Sequence, residues 1–175
     1  RTKKLVEKNE QRKFLPVPDK LTGLYNRRKL DEEMEEELAL SRRYALNSAV
    51  VIADIDHFKR INDNYGHCAG DMVLAKFADI LRSCTRDCDA LGRLGGEEFV
   101  ILCRHSTREG GIAAAENLRA SIATHCFEGV GPVTASFGVA AYREGDDVAS
   151  LLGRADAALY RAKNNGRNRV EVEFD

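Results

Sequence analysis

The segment Ala49-Val50-Val51-Ile52-Ala53 is apolar without a break, short, and rich in β-branched side chains. A strand with one wet face would alternate apolar and polar residues. An unbroken run of this length therefore predicts a strand covered on both faces. Helical patterns stand on either side of it to supply the cover. Arg28 to Leu46 reads as a helix with Leu30, Met34 and Leu38 as its apolar stripe, continued by Tyr44 or Ala45. Asp71 to Arg82 reads as a second, with Leu74, Phe77, Ala78 and Leu81 spaced i, i+3, i+4, i+7.

Beyond them lie two short strands, about 89–94 and 99–103, separated by Gly95-Gly96-Glu97-Glu98, a hairpin signal. A helix at about 110–125 carries Ile112, Ala115, Leu118 and Ile122 on one face. Val133 to Ala141 reads as a strand, Val148 to Lys163 as a helix and Arg169 to Phe174 as a closing strand. The central order is strand, helix, strand, strand, helix, strand. That predicts an α+β fold with a ferredoxin-like βαββαβ core and extra flanking helices and strands. In this topology the third strand lies antiparallel beside the first, so the hairpin tip meets the carboxyl end of the first strand. Asp54 and Asp56 at that end would thus converge with Glu97 and Glu98.

Converging carboxylates raise one another's pKa unless a cation neutralises them, and a hard divalent ion such as Mg2+ is suited to the task. So held, the ion can also bridge nucleotide phosphates. Neither pair carries this reading alone. Asp54-x-Asp56 by itself better fits a strand-end turn capping backbone amides, and Glu97-Glu98 by itself is an ordinary acidic turn. Gly95 and Gly96 serve a hairpin that needs positive φ, and they also let a nucleotide approach the backbone. No GxxxxGK sequence is present, so phosphates are not held by a P-loop.

A chain of 175 residues, 43% hydrophobic and 31% charged, can bury one domain core. Its formal net charge of -1 gives no reason to expect a nucleic-acid polymer or a membrane surface as partner. No stretch is long and apolar enough to span a bilayer. Cys68, Cys84, Cys88, Cys103 and Cys126 form no CxxC pair, which reads as reduced thiols in a cytoplasmic protein. Residues 1 to 18, charged up to Lys13 and closed by Pro16 and Pro18, read as the tail of a linker from an upstream signalling region, or equally as a frayed terminus with no role of its own. Residues 19–175 read as one domain, whose full-length parent is free to be membrane-anchored.

Taken in order, Asp19-Lys-Leu-Thr-Gly-Leu-Tyr-Asn-Arg-Arg28, Asp54-Ile-Asp-His-Phe-Lys-Arg-Ile-Asn-Asp63, Gly66-His-Cys-Ala-Gly-Asp71, Arg93-Leu-Gly-Gly-Glu-Glu-Phe99, Ser136-Phe-Gly-Val-Ala140 and Ala155 to Lys163 with Gly166-Arg-Asn168 resemble the GGDEF family of diguanylate cyclases, bacterial signal-transduction enzymes. The resemblance runs from about Asp19 to Arg169. It implies a palm-type nucleotide cyclase fold and a transferase that condenses two GTP into cyclic di-GMP. Asp54, the carbonyl of Ile55, and Glu97 would bind Mg2+, with Mn2+ as substitute, and Asp56 is less often a ligand. Glu98, or Glu97 in some accounts, would take the proton from the ribose 3′-hydroxyl.

Asn62 and Asp71 would recognise guanine, and His67 would lie near the ribose. Lys59, Lys163 and Arg167 would hold phosphates, with Phe58 and the backbone around His57 lining their pocket. Without the resemblance, Lys163 and Arg167 read as favourable charge at a helix C-terminus. Arg86 and Asp89, in an RxxD motif before the hairpin, match the family's inhibitory product site. Read alone, that motif is a surface loop with an ion pair. Catalysis would require an antiparallel homodimer, each subunit holding one GTP.

The departures are a Glu at the third signature position, Leu94 where an aromatic is common, and the Pro16–Pro18 start. The alternatives are a non-catalytic GTP or cyclic di-GMP receptor, which usually shows a damaged signature, and another palm-type nucleotidyl transferase, which would not need Asn62 and Asp71.

Overall fold

The computed structural model describes residues 18–175. The linker expected up to Pro18, including Pro16, lies outside the described residues except for Pro18 itself. The sheet is built around β1 (Ser48–Ile55), every residue of which is buried. Its neighbours are β3 (Glu98–Arg104) and β6 (Ala135–Ala141), both antiparallel to it. The sheet order is β2-β3-β1-β6-β7, with β2 (Ala90–Gly95) on one edge and β7 (Val170–Val172) parallel to β6 on the other. The ferredoxin-like core read from the element order is present, extended by β7.

Side-chain alternation along β1 divides the interior into two layers. Val50 and Ile52 face α1 (Arg27–Tyr44) and α5 (Val148–Asn164), meeting Leu30, Met34, Leu38, Leu151, Ala155 and Leu159. Ala49, Val51, Ala53 and Ile55 face the other way, toward Phe77, Leu81, Leu118 and Ile122 of α3 (His67–Cys84) and α4 (Arg108–Thr124). A strand with no wet face thus becomes the middle of a three-layer domain. Helices α1, α4 and α5 start where side chains can satisfy their first amides. Asn26 accepts from the Lys29 N–H, Thr107 from that of Gly110, and Asp147 and Ser150 form a reciprocal capping box.

Several expectations change at the edges. Tyr44 and Ala45 do not extend the stripe of α1, since Tyr44 is exposed and Ala45 caps the helix in a left-handed conformation. Glu37 and Ser41 are the buried residues there instead. Helix α3 begins at His67, a turn before Asp71, because Gly66 starts it. Strand β6 begins at Ala135 rather than Val133, and β7 is confined to Val170–Val172. Two elements have no counterpart in the sequence reading: α2 (Phe58–Tyr65), whose one buried residue is Ile61, and the two-residue pairing of β4 (Cys126–Phe127) with β5 (Gly131–Pro132). Both are too short to show a period.

Candidate active site

The register of β1 against β3 sets Asp54 opposite Glu98. One step on, the Ile55 N–H donates to the Glu97 carbonyl at 3.3 Å, so the hairpin tip is tied to the end of β1. The tip itself is Gly95 at φ +148°, a conformation that needs glycine, and Gly96 at φ +51°, in the left-handed region that glycine favours, and a β-carbon at either position would touch nothing. Phe99, the last signature residue, is fully buried and packs on Phe77 with ring centroids 4.8 Å apart. The motif therefore has an anchored end and an open end.

Arg93 braces the open end. Its Nε and Nη2 donate to the Gly96 carbonyl at 3.0 and 2.8 Å, while its Nη1 reaches Asp19 at 3.2 Å. Asp19 in turn accepts from the Thr22 amide and hydroxyl, at 3.0 and 2.6 Å. Neither Arg93 nor Asp19 received a role from the sequence beyond its place in a motif. Only the distance between them in the chain hid the contact.

The electrostatics of the site are lopsided. Asp54 is 4% exposed, and Lys163 Nζ donates to its Oδ2 at 2.6 Å. Burial pushes the Asp54 carboxyl up, Lys163 opposes this, and Glu97 and Glu98 add to it, leaving the group at about 6. Glu98 is raised as well, by burial first, against the pull of Lys163 and with the push of Asp156 and Glu97. Asp54, Glu97 and Glu98 thus stand against two cations, Lys163 bonded to Asp54 and Arg27 acting on Glu98 through charge alone. Such a surplus of negative charge suits a divalent cation. Among the described residues no group of three or more His, Cys, Asp or Glu side chains could hold a metal by itself. A metal here would need main-chain or substrate oxygens besides Asp54 and Glu97.

Asp56 does not join them. Its carboxylate accepts from Thr134 Oγ1 at 2.7 Å, Ser136 Oγ at 2.6 Å and the Asn168 amide at 3.0 Å. Three donors from two distant segments commit it to holding the β6 and 166–168 backbones together. The convergence expected of four carboxylates is therefore one of three.

The remaining candidates lie on α2, in the first turns of α3 and in the turn after α5. His57 precedes α2 at φ +55°, and Phe58 and Lys59 open that helix. Arg167 sits in a left-handed turn, φ +63°, after α5, beside Asn168 at φ +44°. The side chains of Lys59, Asn62, His67, Asp71 and Arg167 make no hydrogen bond or ion pair among the described residues. They are free to meet a ligand. Arg86 and Asp89 lie at the other end of the β2–β3 hairpin, in the loop before β2. There Arg86 Nη2 donates to Asp89 at 3.0 Å, to the Arg104 carbonyl at 2.5 Å and to Ser106 Oγ at 2.8 Å. This is the ion-paired surface loop, built around a half-exposed guanidinium. All five cysteines are free thiols, and among the described residues no helix is long and apolar enough to cross a membrane.

Comparison with known proteins places this geometry. Residues 17–169 match the family described as diguanylate cyclase, GGDEF domain. The chain is 43% identical over 166 residues to the diguanylate cyclase DgcP of Pseudomonas aeruginosa, covering 93% of this chain and 25% of that protein. It is 44% identical over 158 residues to the diguanylate cyclase VdcA of Vibrio cholerae, covering 87% and 45%. It thus spans less than half the length of these relatives. Among solved structures, the GGDEF domain of DgcB from Caulobacter crescentus in complex with c-di-GMP superposes with a TM-score of 0.85 at 32% identity, covering 89% of this chain and 94% of that one. The active GGEEF domain of a Vibrio cholerae diguanylate cyclase gives 0.82 at 38% identity, covering 86% and 97%.

Proposed function

The chain belongs to the GGDEF family of diguanylate cyclase domains, and on that premise we propose that residues 19–175 join two GTP molecules into cyclic di-GMP as half of an antiparallel homodimer. The observation that carries this is the Glu97–Glu98 turn brought beside buried Asp54, with Lys163 bonded to the Asp54 carboxylate.

In this reading the base of each GTP lies against Asn62 and Asp71. The amide offers both a donor and an acceptor, and the carboxylate takes guanine N–H groups. His67 is beside the ribose. Lys59, Lys163 and Arg167 neutralise the triphosphate, and Phe58 with the backbone at His57 walls its pocket. Asp54, Glu97 and the Ile55 carbonyl would hold Mg2+ or Mn2+, which supplies charge neutralisation at the phosphates. Glu98 accepts the proton of the 3′-hydroxyl. Its raised pKa makes it a better base than an ordinary glutamate. The 3′-oxygen then forms a bond to the partner's α-phosphorus as the α–β anhydride bond breaks, and pyrophosphate leaves. Two such transfers close the ring and release two pyrophosphates.

Each subunit has only one such half-site, so the partner must present its own GTP face to face. Arg86 and Asp89 are proposed to bind product. To do so Arg86 must exchange its contacts with Asp89, Arg104 and Ser106 for guanine and phosphate, a task a planar guanidinium suits. Incubating the chain with GTP and Mg2+ and separating the products by chromatography tests the proposal. Cyclic di-GMP and pyrophosphate are expected, and chelation should stop both. GTP that binds without turnover in a verified dimer would instead make the domain a receptor. An Arg86→Ala chain should keep its initial rate and lose product inhibition.

A further inference from the structure

Gly70 is buried in the first half of α3, where the helix itself would be better served by alanine. The space that a side chain would fill is taken. A β-carbon built on Gly70 would overlap Asn62 Oδ1, lie 3.0 Å from Asn62 Cγ and 3.3 Å from Phe58 Cζ. Both neighbours come from α2, and the corner between the two helices is fixed by backbone. The Gly66 N–H donates to the Asn62 carbonyl at 2.8 Å, and the Gly70 N–H to the Gly66 carbonyl at 3.2 Å.

The Asn62 carboxamide makes no hydrogen bond among the described residues. Its place is therefore set by shape, and the shape is the bare backbone of Gly70. The next residue on α3 is Asp71, so one turn of helix carries both the floor for the amide and the carboxylate read as its partner in base recognition.

We propose that Gly70 is a specificity-determining positioning residue: its missing side chain fixes where the Asn62 carboxamide stands relative to Asp71, and so which purine edge the pair accepts. The proposal rests on the reading of Asn62 and Asp71 as the base-recognising pair. A guanine edge offers a carbonyl oxygen and N–H donors side by side, and an adenine edge offers the reverse polarity at the same place. Discrimination between them needs the amide and carboxylate held in fixed register, because an unpaired buried polar group is penalised more than a paired one is favoured. Adding one methyl group at Gly70 forces the amide off its seat. Only a flexible side-chain end has to yield, so the helix keeps its packing.

The test is calorimetric binding of 3′-deoxy-GTP and 3′-deoxy-ATP, which cannot react, to the 175-residue chain and to its Gly70→Ala, Asn62→Ala and double variants. Thermal midpoints are recorded alongside. Gly70→Ala is expected to lower affinity for the guanine nucleotide at least tenfold and to shrink the guanine-over-adenine preference, with a thermal midpoint equal to or above that of the parent. Asn62→Ala should produce a loss of similar size, and the double variant should lose no more than Asn62→Ala alone, since both act through one amide. Because Asn62→Ala removes the overlapped atom, the double variant keeps the comparison open whatever Gly70→Ala does to folding. Gly70→Ala binding like the parent while Asn62→Ala does not, or additive losses in the double variant, overturns the proposal alone. Asn62→Ala that binds like the parent overturns the guanine reading, and the proposal with it.

Discussion

Each end of β1 carries a buried aspartate beside glutamate and a cation, yet the titrations of the two aspartates are pushed in opposite directions. At the amino end, Arg154 lies between Asp146 and Glu173, at 2.5 and 2.8 Å, and also donates to the Ala141 carbonyl at 2.8 Å. Burial would raise the Asp146 carboxyl, but Arg154, the Arg143 amide and Ser150 outweigh it and hold the group below the ordinary aspartate value. At the carboxyl end, Asp54 is no more exposed than Asp146, yet it sits at about 6. The difference is in the count of partners. One cluster has bonded donors for each carboxylate; in the other, among the described residues, Asp54 alone has a bonded cation, Lys163, with Glu97 and Glu98 close by. Burial alone does not mark a functional carboxylate; burial without enough donors does.

The largest effect expected from this contrast is on catalysis. Asp54→Asn should cut cyclic di-GMP formation at least about a hundredfold, the scale of a lost metal-site contact. The same change removes a poorly compensated buried charge, so chemical denaturation should show a fold that is more stable by roughly 1 kcal/mol. A variant that keeps turnover, or that unfolds more easily, would erase the distinction between the two ends.

At the opposite end the signs reverse. Arg154→Met strands Asp146 without its cation, leaves Glu173 only Arg143 at 3.5 Å, and should cost about 3–5 kcal/mol in urea unfolding, while turnover of the folded fraction stays unchanged. A loss below about 1 kcal/mol would mean that this cluster, too, is indifferent to its pairing.

Acid sharpens the same point. Between the lowered folded value of Asp146 and its ordinary value of 3.8, the unfolded chain takes up a proton that the folded chain refuses. Its stabilisation is present above about pH 4 and is lost as pH falls through the folded value. The melting temperature should drop across that window, and Asp146→Asn should flatten the drop.

Smallest is the brace on the signature turn. Asp19 and Arg93 are partly exposed, so Asp19→Asn should cost at most about 1 kcal/mol of stability. Turnover should fall several-fold, because Arg93 would hold Gly96 with one support fewer. An unchanged rate would make the pair merely structural.

Much of this was legible in the residues because the interior is written in simple periods. The unbroken run at Ala49–Ala53 announced a central strand, and the order of elements alone placed Glu98 beside Asp54. Leu30, Met34 and Leu38 marked the buried side of α1, while Tyr44 could not be told from them by spacing, since its exposure depends on where the helix stops. Helix α2 was illegible because Phe58-Lys-Arg-Ile-Asn-Asp-Asn-Tyr65 buries only Ile61 and completes barely two turns. The commitment of Asp56 to Thr134, Ser136 and Asn168 involves partners 78 to 112 residues away, and no local pattern encodes it. The same holds for Gly70, whose meaning lies in what it leaves room for.

The proposed cyclase reaction depends on the site being half of a catalytic centre. Initial rates of cyclic di-GMP formation per subunit, measured at saturating GTP and Mg2+ over a wide range of protein concentration, test that directly. Half-site catalysis predicts a rate per subunit that rises with concentration and levels off as dimers fill. A constant rate per subunit in a chain shown to be monomeric throughout would contradict it.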